Sequence, residues 1–101
     1  SNVPAQALIL LNDPLVAQLS SQWGERALQS IPEQDTDQIA KRVDWMYLSG
    51  FGRNPTQEER DAATNFLRTQ ASRRGVTTDH ADLWADLAHV LVNTKEFIFL
   101  R

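Results

Sequence analysis

The sequence predicts an all-α protein, a compact bundle of about five helices, and three observations carry that prediction. Apolar residues recur at spacings of three and four over several separate segments, the repeat of a helix with one buried face. Proline, glycine and capping residues fall between those segments, where helices start and stop. No stretch alternates apolar and polar residues with period two for long enough to build a sheet. A chain of 101 residues is one domain, residues 1–101, with room for a modest core. It reads as a piece of a larger multidomain protein.

The first predicted helix opens at Val3-Pro4, since proline is tolerated in a first turn. It carries Ala7, Leu8, Ile9, Leu10 and Leu11. A segment apolar on every side must be buried all round or covered by a partner, which makes Leu10 and Leu11 candidate interaction residues. Asn12 or Asp13 then caps a second helix with Pro14 near its first position. Its expected inward stripe is Leu15, Val16, Leu19, Trp23 and Ala27, with Gly24 weakening it by about 1 kcal/mol relative to alanine. A third helix is predicted from Asp35 or Thr36 to about Ser49. Ile39, Val43, Met46 and Gly50 share one of its faces, while Trp45 and Leu48 point roughly the opposite way. Two apolar faces predict a central helix packed on both sides, or an exposed strip that meets a partner through Trp45 and Leu48.

The third and fourth helices are joined through DWMYLSGFGRNPTQEE, residues 44–59. Gly50 is placed to close the third helix through a left-handed residue. Pro55 breaks the helix, and Thr56 with Glu59 forms a capping box that starts the next. Arg53 is placed to bond the last carbonyls of one helix and to pair with a carboxylate of the other. The fourth helix runs to about Arg74, with Ala63, Phe66, Leu67 and Ala71 inward and Gly75 closing it. Asp79, or Thr78 before it, is expected to cap a fifth helix with the stripe Leu83, Trp84, Leu87 and Leu91. Residues 96–100 end the chain as a short apolar turn or tail.

Composition excludes several activities. Ten Lys and Arg against thirteen Asp and Glu give a net charge of −3, which argues against broad nucleic-acid affinity. The helical hairpin could pass for a DNA-binding helix-turn-helix, but its second helix starts with QEERD, which phosphates would repel. There is no cysteine, so no disulfide, thiolate metal site, cysteine nucleophile or haem-attachment motif lies in this chain. No apolar run approaches the ~20 residues that span a bilayer. His80 and His89 project about 180° apart from one helix and cannot grip one ion from it. Asp82, Asp86 and His89 could form a metal or proton-transfer site, and equally a solvated polar face opposite a buried stripe, which is the reading adopted. Gly50-Phe51-Gly52 lacks the strand and the third glycine of a phosphate loop. No catalytic, metal-binding or cofactor-binding residue is therefore assigned.

Three stretches, in order, resemble one family across nearly the whole chain. They are VPAQAL leading to LLNDP (residues 3–14), Gly52-Arg53 with Pro55-Thr56 and Glu59, and the ending Asp86-Leu87, Val90-Leu91, Asn93 and Glu96-Phe97. The chain resembles the C-terminal part of the domain of unknown function found in planctomycete cytochrome-c-type exported proteins. That resemblance implies a large exported protein, periplasmic or of the cell envelope, with a cytochrome c segment and a companion domain upstream. It carries over no catalytic residue. The expected role is a non-catalytic module that packs against the upstream domains or a protein partner, with no cofactor of its own. The alternative is one wall of an active or ligand-binding site in a redox or polysaccharide-processing protein, using Arg53, Asp82, Asp86 and His89.

Overall fold

The computed structural model describes residues 13–31 and 37–94. Among them the chain is all-helical, with four helices: α1 (Pro14–Ser30), α2 (Gln38–Phe51), α3 (Gln57–Arg74) and α4 (Ala81–Val92). These correspond to the second to fifth helices that periodicity predicts. The first predicted helix with Leu10 and Leu11, the cap candidate Asn12 and the closing apolar segment lie outside the described residues. The helices close a ring: α1 packs on α2 and most extensively on α4, α2 packs on α3, and α3 packs on α4.

Three of the four helix starts have a side-chain cap, and α2 begins without one from Asp37. Asp13 caps α1, its carboxylate accepting from the Leu15 amide at 2.8 Å, with Pro14 in the first turn where no amide is missed. Thr56 and Glu59 make the capping box in full, Glu59 N donating to Thr56 Oγ1 at 3.1 Å and Thr56 N to Glu59 Oε1 at 2.8 Å. The start of α4 differs from expectation. His80, not Asp79 or Thr78, is the cap, its Nδ1 accepting from the Asp82 amide at 3.1 Å.

The closure of α2 corrects the sequence reading by two residues. Gly52, with φ 73°, is the left-handed residue and donates to the Leu48 carbonyl at 3.1 Å. Gly50 lies inside the helix and is buried. Two glycines stand at that end, and the one followed by Arg53 closes it, which leaves Tyr47 and Phe51 on α2 beside the arginine. α3 ends as expected at Gly75, with φ 68°, and the Val76 amide reaches back to the Ala71 carbonyl at 3.0 Å.

The core is built from Ala27 of α1, Val43, Met46 and Tyr47 of α2, Ala63, Leu67 and Ala71 of α3, and Leu83, Trp84, Leu87, Ala88 and Leu91 of α4. The α4 stripe is the predicted one. The α1 stripe holds only in part: Val16 and Ala27 are buried and Trp23 packs against the core, but Ser20 and Gly24 are buried beside them and Leu15 and Leu19 are 59% and 47% exposed. The helix turns its small residues inward because it lies close against α4. A β-carbon on Gly24 would stand 2.5 Å from the Trp84 carbonyl carbon and oxygen and 2.7 Å from the Ala85 nitrogen. Periodicity favours the bulky stripe, and the backbone approach that only glycine permits overrides it.

Candidate functional site

The residues singled out for chemistry do not converge. Arg53 lies in the α2–α3 turn and is held on three sides. Its Nη1 and Nη2 donate to Glu59 Oε1 and Oε2 at 2.8 and 2.9 Å, a two-pronged pair. Nη1 also donates to the Asn54 carbonyl at 2.9 Å, and the guanidinium stands 5.5 Å from the Tyr47 ring centroid and 5.9 Å from that of Phe51. The expected clamp is therefore present, though the carbonyl it bonds belongs to the turn.

The Arg53 hydrogen bond, then the Thr56 amide, holds the Glu59 carboxyl down from 4.5 to about 2. A depressed carboxyl stabilises the fold above its unfolded value and loses that contribution on protonation, so stability should fall as pH drops from 4.5 towards about 2. Both side chains are about a third exposed, and screening keeps the effect near 1 kcal/mol. Acid unfolding curves of the protein and of Glu59→Gln should converge at the low end of that window. Curves that stay parallel throughout would remove the clamp from the stability account.

The acidic residues of α4 are placed differently from one another. Asp86 pairs with Arg74 and links α3 to α4. Asp82 is exposed, 3.9 Å from the capping His80. His89 is half-buried, its Nε2 without a hydrogen-bond partner among the described residues. Asp86 and His89 share a shallow depression with Phe66, Gln70, Val90 and Asn93, and neither Asp82 nor Arg53 lines it. Among the described residues no group of three His, Asp or Glu could hold a metal ion. No described helix is long and apolar enough to cross a membrane.

Two clefts gather more. The first, about 300 Å³, lies where α1, α2 and the end of α4 meet. Val16, Leu19, Trp23, Trp45 and Val92 give it apolar walls; Ser20, Ser49 and Arg26 also line it. The Trp23 indole N–H donates to Ser49 Oγ at 2.8 Å, and Ser49 Oγ in turn donates to the Met46 carbonyl at 3.1 Å. Ser20 is 2% exposed, with its hydroxyl unpartnered among the described residues. Trp45 is half-buried, and Leu48, one helical turn on, is 52% exposed.

The second cleft, about 450 Å³, lies between the start of α2, the face of α3 carrying Thr64 and Arg68, and Thr77, Thr78 and Asp79 before α4. It includes Arg42, which is 2% exposed. Sequence reading missed Arg42, yet a signal was there. Arg42 has Ile39 at i−3 and Trp45 and Met46 at i+3 and i+4, so a helix that buries those must bury much of the arginine.

Neither a curated protein nor a solved structure matches this chain. A family model described as PSD1, protein of unknown function (DUF1553), matches residues 1–67, about two thirds of the 101, and the chain belongs to that family.

Proposed function

We propose that the chain is a non-catalytic helical module that packs against other domains of a larger protein, or against a protein partner, through the face formed by α1 and α2. The observation that supports this reading is the apolar cleft walled by Trp23, Trp45, Leu19 and Val92, with the exposed Leu15 and Leu48 on the same two helices. Aromatic and leucine side chains around a concavity are what a protein surface presents when something else covers it. The dispersal of Arg53, Asp82, Asp86 and His89 favours this reading over a catalytic one. Resemblance to planctomycete cytochrome-c-type proteins extends the proposal to an exported protein with its haem segment elsewhere.

Leu48→Asp tests the reading, because the side chain is half in water already. In the isolated chain it should cost less than about 0.5 kcal/mol. In the full-length protein it should lower stability by about 2 kcal/mol, the cost of a leucine no longer buried at an interface. Urea denaturation of both forms measures the difference. Equal, small changes in the two would contradict the proposal.

A further inference from the structure

We propose that the second cleft binds a small oxyanion, a phosphate or carboxylate group, with Arg42 and Arg68 as its principal contacts. The starting point is Arg42. Its side chain is almost wholly out of water, and among the described residues its guanidinium makes one hydrogen bond, from Nη2 to the Ile31 carbonyl at 3.1 Å. The Trp84 ring lies beneath it, 5.9 Å from the guanidinium carbon to the ring centroid. Its Nε is buried with no acceptor, and no carboxylate among the described residues forms an ion pair with it. A buried cation is stable when a counter-charge accepts its remaining N–H groups. One hydrogen bond and a ring face leave that requirement open.

The cleft beside Arg42 has the donors that would complete such a site. Arg68, exposed on α3, brings a second guanidinium, and Thr64 lies four residues before it on the same face. Thr78 adds a hydroxyl from the loop before α4, whereas the Thr77 hydroxyl proton is already given to Asp79. The first residues of α2, from Gln38 to Ala40, bring the positive end of a helix, which the Asp37 side chain does not cap. Guanidinium forks, hydroxyls and helix amides are together the donor set that recognises a tetrahedral or planar oxyanion.

Asp37 and Asp79 also line the cleft and set the scale of the ligand. Asp79 accepts a hydrogen bond from the Thr77 hydroxyl. Two carboxylates against two guanidiniums leave no large excess of positive charge. With no net positive charge in the cleft, an anion would be held by the directed N–H groups of the arginines and not by the overall charge, and a polyanion such as nucleic acid is disfavoured.

The test is an amide NMR titration of the full chain with inorganic phosphate, with acetate in a parallel arm and chloride at matched ionic strength as the control. Saturable shifts at Ile39, Ala40, Thr77 and Thr78 are expected with phosphate, with acetate, or with both, and the arm that saturates names the group. Arg68→Gln leaves the fold intact, because the side chain is exposed, and should weaken binding about tenfold. Arg42→Met should abolish it. No saturable shift in either arm, equal shifts with chloride, or Arg68→Gln binding as tightly as the unmodified chain would each overturn the proposal.

Discussion

Gly24→Ala should destabilise the protein by about 2 kcal/mol, although helix propensity alone predicts a gain. Alanine at an interior helical position is favoured over glycine by about 1 kcal/mol. Against that stands the 2.5 Å approach of the new β-carbon to the Trp84 carbonyl carbon and oxygen, and 2.7 Å to the Ala85 nitrogen. These are backbone atoms in the middle of α4, so no side-chain rotation relieves the contact. α1 must move away from the helix it packs on most, and forced separation in a packed core costs about 3 kcal/mol at the upper end of its usual range. The net loss corresponds to roughly 10 °C in Tm for a domain of this size. Thermal unfolding followed by circular dichroism measures it. A raised Tm would show that the two helices stand further apart than described.

Trp84→Ala should have the largest effect of any single truncation, about 3–5 kcal/mol. The side chain is fully buried, lies under the Arg42 guanidinium, and donates from its indole nitrogen to the Thr78 carbonyl at 2.8 Å. Removing it opens a cavity at the centre of the bundle and strips Arg42 of its only described ring partner. A domain of this size has about 5–15 kcal/mol in total, so the variant should be close to unfolding at 37 °C. Trp84→Phe keeps most of the volume and leaves the Thr78 carbonyl without the indole, so its cost should be nearer 2 kcal/mol. Urea midpoints for the two variants give the comparison. A Trp84→Ala loss below about 1 kcal/mol would place this indole outside the core.

The fold was legible where the signal is local. Caps depend on a few neighbouring atoms, so Thr56 with Glu59 and Gly75 could be read directly, and the first cap narrowed to Asn12 or Asp13, of which Asp13 is the one. The α4 stripe was legible because a helix with large residues on one face has one way to bury them. Non-local facts were not. Which way α1 turns depends on how closely α4 approaches, and Leu15 and Leu19 face outward because Gly24 permits contact with the Trp84 backbone. Gly50 and Gly52 are equivalent by local rules, and only the structure shows that Gly50 is buried inside α2 while Gly52 takes the left-handed conformation.

The sites divide in the same way. The Arg53–Glu59 clamp joins neighbours in sequence and was expected from their spacing. The cleft around Arg42 draws its walls from α2, α3 and the loop before α4, and nothing in any one segment marks it. Trp45 and Leu48 were separated from the inward face of their helix by rotation alone; Leu48 is exposed, whereas Trp45 is half-buried and packs against the core. Leu10 and Leu11, set apart for the same reason, lie outside the described residues.

The proposed role requires that the α1–α2 face be covered in a larger protein that contains this chain. Hydroxyl-radical footprinting reads side-chain exposure directly, and it can be run on the isolated chain and on the full-length protein under the same conditions. The account predicts that Leu19, Trp23, Trp45 and Leu48 are oxidised in the isolated chain and protected several-fold in the full-length protein, while exposed Val90 on α4 reacts equally in both. Equal oxidation of all five residues in the two proteins would contradict it.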